Sequence, residues 1–237
     1  CHQGRESTQT VNTAIERAAV GPDEVSEALT FRNVHYFAAG ATLFGSQASG
    51  AYQYSDKEYA GRFNHVENFD SCIECHDVHA LTLNEDACAG CHGDVEIREI
   101  RMERRTAVDY DGDGDSEEPI LGEIQTLHEE LYTALQAYAT DTTGTGIAYS
   151  PASHPYWFID TDGDGVTAEG EVNADNRFAS WTPTLLRAAY NYQYVAKDPG
   201  TFAHNAPYIL QVLYDSIESL GGAEAVADYT RPEAAAE

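Results

Sequence analysis

The sequence predicts a mostly α-helical protein with a large share of irregular structure. Three observations point to this fold class. Apolar residues recur every three or four positions over 120–138, which is the period of a helix with one buried face. Two further apolar segments begin at Pro183 and Pro207, and proline is favoured at the first position of a helix. The chain shows no ladder of alternating apolar and polar residues of the kind that half-buried strands produce.

Composition and charge exclude several function classes. The chain has 237 residues, of which 42% are hydrophobic and 11% aromatic, and this fits one or two globular domains rather than a disordered acidic tail. Its formal net charge of −27 argues against binding to nucleic-acid phosphates or to anionic lipid surfaces. No apolar run approaches the roughly 20 residues of a membrane-spanning helix. A secretory apolar core is also missing, so we expect any signal peptide to have been removed.

Only short helices are expected in the first 92 residues. Apolar spacing predicts one helix over 8–19, which Gly21 and Pro22 end. A second short helix is expected over 22–30. Segment 40–62 is rich in Gly, Ser, Ala and Tyr, a composition typical of a loop or a short hairpin.

Longer helices are predicted in the rest of the chain. The clearest spans 120–138, and its periodicity places His128 on the buried side. Helices over 183–195 and 207–220 follow, and two glycines end the second of them. Residues 223–237 are rich in Ala and Glu and predict a weak helix or a frayed tail.

One cysteine pattern, C-x-x-C-H, occurs twice within 21 residues, as Cys72, Cys75 and His76 and then as Cys88, Cys91 and His92. This pattern is the attachment signature of c-type haem. Two thiols can add to the two vinyl groups at one edge of a porphyrin, and the adjacent histidine then reaches the iron from one face. We therefore divide the chain into a haem-attachment region, residues 1–92, and a region without attachment motifs, residues 93–237.

Two other interpretations of the four cysteines are weaker. A zinc ribbon also uses two C-x-x-C pairs, but its usual gap between pairs is roughly 15–20 residues. Here the gap between Cys75 and Cys88 is 12 residues. Two disulfides would leave the histidine that follows each motif unexplained.

The sequence begins with Cys1 and His2, which match the last two residues of the same motif. One interpretation is a third C-x-x-C-H whose first half precedes this sequence, which predicts a longer protein with more haems upstream. A lipidated N-terminal cysteine and an incidental cysteine are the alternatives.

The ligand inventory favours haem iron held by two histidines. Met102 is the sole methionine and lies in the charged run from Arg98 to Arg105, a poor place for an axial ligand. Bis-histidine ligation predicts low reduction potentials, because methionine is the ligand that raises them. Three haems would need six histidines, and the chain has nine, so some are expected to serve haems of an upstream segment or a neighbouring subunit. The proximal candidates are His2, His76 and His92, and the distal candidates are His35, His65, His79, His128, His154 and His204.

Four arginines lie in that charged run: Arg98, Arg101, Arg104 and Arg105. They form either a solvated charged face or partners for haem propionates or for an acidic calcium loop.

Residues 160–171 match the calcium-loop pattern D-x-[DN]-x-[DN]-G-x5-E at every position. Gly165 permits the sharp turn within the loop. The alternative is an acidic surface turn. The predicted calcium ligands are the carboxylates of Asp160, Asp162, Asp164 and Glu171 and the backbone carbonyl of Val166.

A second segment, 109–115, begins the same pattern with Asp109, Asp111, Asp113 and Asp115. Its twelfth position is Ile120, which cannot ligate a cation, so Glu117, Glu118 or Glu123 would have to supply the last carboxylate. Calcium sites of low affinity suit a compartment outside the cytoplasm, where c-type haem is also attached.

Several segments together resemble the secreted multihaem c-type cytochromes. They are Cys1-His2-Gln3-Gly4-Arg5-Glu6-Ser7, then His35-Tyr36-Phe37-Ala38-Ala39-Gly40, the two C-x-x-C-H motifs, and residues 181–220. The resemblance implies a haem-cored fold and a larger parent protein, and it implies that His204, which precedes Asn205, is a distal ligand. It also implies periplasmic or extracellular location, redox partner proteins or further copies of the chain as partners, and for some members filaments with histidines donated between subunits.

Three functions are compared on this basis. Electron transfer through closely packed bis-histidine haems is the leading hypothesis. A nitrite- or hydroxylamine-type reductase is the alternative, but its open haem, often on C-x-x-C-K, has no counterpart in this sequence and would have to lie in a missing segment. The third is a calcium-dependent structural or adhesion module.

Overall fold

Helices dominate the computed structural model, which describes residues 2–94, 96–101 and 107–234. This confirms the prediction of a mostly helical chain with little sheet and much irregular structure. Cys1, Met102, Arg104 and Arg105 lie outside the described residues. The helices are α1 (Thr8–Ala18), α2 (Ala39–Phe44), α3 (Cys72–Cys75), α4 (Glu85–His92), α5 (Ile120–Tyr138), α6 (Pro183–Ala196), α7 (Thr201–His204) and α8 (Ala206–Gly221). Among the described residues, none of these helices is both long and apolar enough to cross a bilayer.

Two small antiparallel hairpins accompany the helices. Strand β1 (His76–Asp77) pairs with β2 (Thr82–Leu83), with His76 opposite Leu83. Strand β3 (Ile147–Tyr149) pairs with β4 (Trp157–Ile159). The sequence did not indicate these strands, because two or three residues are too few to establish an alternating pattern.

The core is built by three helices, α5, α6 and α8, which pack against one another. On α5 the buried side chains Leu127, Leu131 and Leu135 recur every four residues, as the sequence predicts. Helix α6 begins at Pro183, and the side chain of Thr182 caps it by accepting a hydrogen bond from the Leu185 N–H. Helices α6 and α8 are buried on several sides, and their buried residues include polar side chains such as Asn191 and Gln211.

Four predicted helices agree with the structure to within one residue at each end: 8–19, 120–138, 183–195 and 207–220. The helix predicted over 22–30 is wrong, since these residues form turns. Their backbone groups bond to the start of α6 instead: the Pro22 carbonyl accepts from Thr184 N (3.0 Å), and Ser26 N donates to the Trp181 carbonyl (3.0 Å). Tertiary contacts therefore override local helix propensity here.

The irregular chain before residue 61 is attached to the core by buried side-chain amides. Asn191 on α6 accepts from Tyr52 N (2.6 Å) and donates to the Tyr52 carbonyl (3.0 Å), as a neighbouring strand would. Gln193 accepts from Val34 N (2.9 Å). From α8, Gln211 accepts from Ala60 N (2.8 Å). These three amide side chains are fully buried, and they satisfy backbone groups that form no regular ladder of their own.

Residues 61–101 differ from the segments on either side, because no described residue between 61 and 101 is buried. Large apolar side chains are exposed there, with Ile73 at 72% and Leu81 at 87% of their full accessible area. The segment leaves the core after Ala60 and returns to it at Arg101, whose guanidinium bonds to Glu123 on α5 at 2.7 Å. A segment of this length with no buried apolar residue lacks the main driving force for folding.

Replacing Asn191 with Ala is expected to lower the free energy of unfolding by about 2–4 kcal/mol, because it leaves the buried N–H and C=O of Tyr52 without partners. Denaturant titration followed by far-ultraviolet circular dichroism measures the change. Gln125→Ala, which removes an exposed amide from α5, is the matched control and should change stability by less than about 0.5 kcal/mol. Equal effects of the two substitutions would contradict the role assigned to Asn191.

Candidate haem sites and acidic loops

The first C-x-x-C-H motif forms a single helical turn followed by an extended residue. Ser71 and Glu74 make a capping box, in which the Glu74 carboxylate accepts from Ser71 N (2.7 Å). The same hydrogen bonds lower the pKa of Glu74. Residues three apart on a helix lie on one face, so Cys72 and Cys75 share a side. His76 has extended backbone angles and follows the helical turn.

The hairpin β1–β2 places the second motif beside the first. Asn84 N donates to the Cys75 carbonyl (2.9 Å), and α4 starts directly after this bond. Cys88 and His92 lie on α4, which ends at Gly93 with a positive φ of 78°. Burial and the nearby thiols of Cys88 and Cys72 and carboxylate of Glu74 raise the pKa of Cys75, so the two motifs are close neighbours.

An open cavity of about 570 Å³ lies against the first motif. Its lining includes His76 and the apolar side chains of Ile73, Val78 and Leu83. All three of these apolar side chains are exposed. The polar residues Asp77, Thr82 and Asn84 complete the lining, so His76 lies in a cavity of mixed polarity.

The histidine of the first motif faces a histidine from the helical core. The ring centroids of His76 and His204 are 6.2 Å apart. The His204 Nδ1 lies 2.8 Å from the buried carboxylate of Asp198, which makes Nδ1 the donor and leaves Nε2 with its lone pair. A Cβ on Gly200 would lie 2.6 Å from His204 Cε1, so glycine leaves room for the ring. A carboxylate behind a histidine in this way is the usual support for a metal ligand.

The histidine of the second motif lies close to His65, with the two ring planes inclined at 51°. The ring centroids of His65 and His92 are 6.0 Å apart. His65 belongs to a loop that Arg62 closes by donating to the Asp70 carbonyl (2.8 Å). The ring of Phe63 packs edge-on against His65, with centroids 6.1 Å apart.

Both separations match two imidazoles that share one metal ion. With metal–nitrogen bonds of about 2.0 Å and ring nitrogens about 1.2 Å from the ring centre, two rings on opposite sides of an ion have centroids roughly 6.4 Å apart. The structure has 6.2 Å and 6.0 Å. Each pair joins one motif histidine to one histidine from a separate segment, so the donor set fits bis-histidine haem at both motifs.

The other predicted ligands lie outside these two pairs. His2 has its carbonyl bonded to Gly40 N (2.7 Å) at the start of α2. It also lies near enough to His76 to help lower the pKa of that residue, after burial and His204. His35, His79 and His154 are exposed. Ring nitrogen His35 Nδ1 lies 3.4 Å from the Asn33 amide, and the His154 ring contacts Tyr156.

His128 lies in an aromatic cluster on the buried side of α5. Its ring stacks on Tyr192 with centroids 4.1 Å apart, and Nε2 lies 2.9 Å from the Tyr192 carbonyl. The nitrogen therefore donates to a backbone acceptor. Burial lowers the pKa of His128.

The carboxylates of the acidic loop 160–171 accept hydrogen bonds from backbone N–H groups of the same loop. Asp160 accepts from Gly163 N (2.8 Å) and Gly165 N (2.9 Å), and Asp164 accepts from Val166 N (2.9 Å). Glu171 accepts from Thr161 N (2.6 Å) at the second loop position, and its hydrogen bonds lower its pKa. Single ligand atoms of Asp160, Asp162 and Glu171 lie within 4.8 Å of one another.

The loop starting at Asp109 repeats these hydrogen bonds one by one. Asp109 accepts from Gly112 N (2.6 Å) and Gly114 N (2.9 Å), and Asp113 accepts from Asp115 N (2.7 Å). The carboxylate that accepts from the second loop position, Tyr110 N (2.7 Å), belongs to Glu123. Glu123 stands three residues beyond the twelfth position, where the linear pattern requires its glutamate.

Two carboxylate groupings occur in this loop, and both include Asp111. One contains Asp109 and Glu123, and the other contains Asp113 and Glu118, with ligand atoms within 4.8 Å in each. Asp115 belongs to neither. Burial and the surrounding carboxylates raise the pKa of Glu118 to about 7.

The sequence identified every cysteine and histidine of the two pairs but missed their supporting groups. Asp198 and Gly200 contact His204 through the turn between α6 and α7, which no linear pattern indicates. For Arg101 the structure supports the acidic-loop interpretation, since its guanidinium bonds to Glu123 and to the carbonyls of Val108 and Glu118. Arg98 is exposed, as a solvated charged face would require.

Comparison with known proteins places the chain beside polyhaem cytochromes. It is 28% identical to the C-type polyheme cytochrome OmcB of Geobacter sulfurreducens over 92% of its length, and 27% identical to OmcC of the same species over the same share. The chain spans about 30% of the length of these relatives. No family model matches, and no solved structure matches. The homology confirms the resemblance to multihaem c-type cytochromes.

Replacing His128 with Gln is expected to weaken the acid sensitivity of folding. In the native state the pKa of His128 lies below the ordinary value of 6.5, so the unfolded chain binds a proton there that the folded chain does not. The contribution of neutral His128 to the free energy of unfolding is therefore complete above pH 6.5. It is lost as the pH falls through the lowered native pKa. Urea titrations at pH 7 and pH 5 measure the loss for each protein.

The exposed residue His154 supplies the control, since His154→Gln should leave the pH dependence of the parent unchanged. An identical loss of stability between pH 7 and pH 5 in the His128 variant and the parent would contradict this account.

Proposed function

We propose that this homologue of polyhaem cytochromes carries electrons through closely packed c-type haems. Two haems are attached at Cys72 with Cys75 and at Cys88 with Cys91. One observation carries the proposal: each motif histidine faces a second histidine at the spacing of a shared metal ion, 6.2 Å and 6.0 Å. When bound, haem c supplies an iron that takes up and releases one electron.

The chain's own residues fix this iron chemistry. His76 and His204 would hold one iron and His92 and His65 the other, which would leave no site for a substrate at either iron. Asp198 orients His204 through Nδ1 and makes it a stronger donor. Imidazole pairs and the net charge of −27 favour the oxidised iron and so give low potentials.

A third haem is proposed at Cys1, with His2 as its proximal ligand. The proximity of His2 to His76 supports a position next to the first haem. His35, His79 and His154 are exposed and lie outside both pairs. We assign these histidines to haems of an adjoining segment or of a further copy of the chain, in a conducting chain or filament.

Two features support operation outside the cytoplasm with a redox protein as partner. The relatives are named as polyhaem c-type cytochromes and are about three times as long as this chain. Loop 160–171 adds a proposed calcium site of the kind found in extracellular modules, with Asp160, Asp162, Asp164, Val166 and Glu171 as ligands. Gln136 and Tyr132 of α5 both bond to the Gly165 carbonyl, so calcium there would tie this loop to the helical core.

Removing one distal histidine is expected to affect one haem only. His204→Ala and His65→Ala should each convert a single low-spin haem to a high-spin haem and leave the attached haem count unchanged, because the thioether bonds do not depend on the distal ligand. Absorption and electron paramagnetic resonance spectra count the spin states, and intact mass counts the haems.

Asp198→Asn should keep His204 in place but remove the carboxylate that makes it a stronger donor. We therefore expect a positive shift of one midpoint potential, with the others unchanged. His154→Ala is the matched control: because His154 lies outside both pairs, it should leave the haems attached at Cys72 with Cys75 and at Cys88 with Cys91 low-spin. If His204→Ala and His65→Ala also leave all haems low-spin, the pairing is wrong.

The function itself is tested by a redox titration of the holoprotein with an exchange assay. We expect two or three covalently bound haems, low-spin spectra, negative midpoint potentials and rapid electron exchange with a soluble cytochrome. A high-spin haem that binds nitrite or hydroxylamine and turns it over would overturn electron transfer in favour of a reductase.

A further inference from the structure

The acidic loop at residues 109–118 contains a buried carboxylate, that of Asp111, whose Oδ1 accepts from Asp113 N and whose other oxygen lacks a hydrogen-bond partner in the described part of the chain. Asp111 is only 3% exposed, and its Oδ2 has no hydrogen-bond partner among the described residues. Burying an ionised carboxylate is costly unless it is paired or binds a metal ion. A second oxygen in the same place, Oε1 of Glu118, is likewise buried without a described partner.

These two oxygens belong to residues whose ligand atoms are already close. One oxygen each of Asp111, Asp113 and Glu118 lie within 4.8 Å of one another. The nearby guanidinium of Arg101 does not neutralise them, because its side-chain ion pair is made with Glu123 at 2.7 Å. Three carboxylates therefore converge at a point that is left without a compensating positive charge among the described contacts.

We propose that Asp111, Asp113 and Glu118 bind a divalent cation, and that this cation is calcium. Carboxylate oxygens without nitrogen or sulfur donors select hard cations, and a loop of flexible acidic residues suits calcium better than the strict octahedron of magnesium. The site uses part of the predicted ligand set: Asp109 and Asp115 take no part, and of the three candidates for the last carboxylate Glu118 closes the site. Glu123 is a positioning residue, which holds the backbone N–H groups of Tyr110 and Asp111.

The surroundings show why this loop is more enclosed than the loop at 160–171. The segment after α8 covers it: Thr230 N donates to the Tyr110 carbonyl (3.0 Å). A Cβ at Gly112, whose φ is 76°, would lie 2.4 Å from the Asp228 carbonyl oxygen. The equivalent Gly163 has open space around it. Tertiary packing therefore buries Asp111 and creates the demand for a cation.

Gly122 on α5 makes room for the closing carboxylate. A Cβ there would come within 2.0 Å of the Glu118 Oε2. An alanine would have to push this side chain away, although alanine suits a helix better than glycine. Gly122→Ala thus separates the binding of a cation from the folding of the loop.

The test is a calorimetric titration of the chelator-treated holoprotein with calcium chloride. The parent protein carries Asp160→Asn and Asp162→Asn, so that the other acidic loop does not contribute to the calcium binding that is measured. We expect the parent to bind one calcium ion, Glu118→Gln to bind none measurably, and Gly122→Ala to bind about 10–100-fold more weakly while its thermal stability without calcium stays equal or rises.

Glu117→Gln is the matched control, since Glu117 is adjacent, exposed and outside the cluster. It should keep the affinity of the parent. Failure of the parent to bind calcium would overturn the site, as would equal affinity of the parent and Glu118→Gln. Haem content and spectra in the same samples report separately on electron transfer, so the two proposals can fail independently.

Discussion

The hydrogen bonds from buried amides of α6 and α8 are the interaction on which the rest of this structure depends. Asn191, Gln193 and Gln211 satisfy backbone groups of a chain that has no ladder of its own. Without them the N-terminal sixty residues would bury unpaired N–H and C=O groups, at a cost of about 1–3 kcal/mol for each group. They place the segments that carry His2 and His65 relative to the helix that ends at His204.

Segment 61–101, in contrast, is not held in place by burial against the helical core. It buries no described residue, and its large apolar side chains are exposed. Protein–protein contacts alone offer it little driving force, so the proposed haems would supply both its apolar core and its covalent bonds. The core elements contribute the fixed side of this arrangement: His204 is held by Asp198 at one motif, and Arg101 joins the far end of the segment to α5.

Much of the site was accessible from the sequence because its chemistry depends on spacing. The C-x-x-C-H motifs and the acidic loop at 160–171 are linear patterns. The sequence also shows that the sole methionine, Met102, lies in a charged run that is a poor place for an axial ligand. The proximity of His76 to His204 was not accessible, since 128 positions separate them in the sequence and the place of His204 depends on the packing of α7 against α2 and α5. The same holds for Glu123, which replaces a glutamate absent from its expected position.

The sequence by itself determined the long helices, the haem-attachment motifs and the acidic loops, because periodicity and ligand spacing act over a few residues. Only the tertiary structure decided which histidines lie close to each other, that residues 22–30 bond to the start of α6 in place of forming a helix, and that Asp111 Oδ2 is buried without a hydrogen-bond partner among the described residues. The physical reason is that hydrogen-bond satisfaction and burial depend on distant segments. Local helix propensity cannot report such contacts. One tertiary hydrogen bond contributes about as much free energy as the propensity of one helical turn, so the contact can override the propensity.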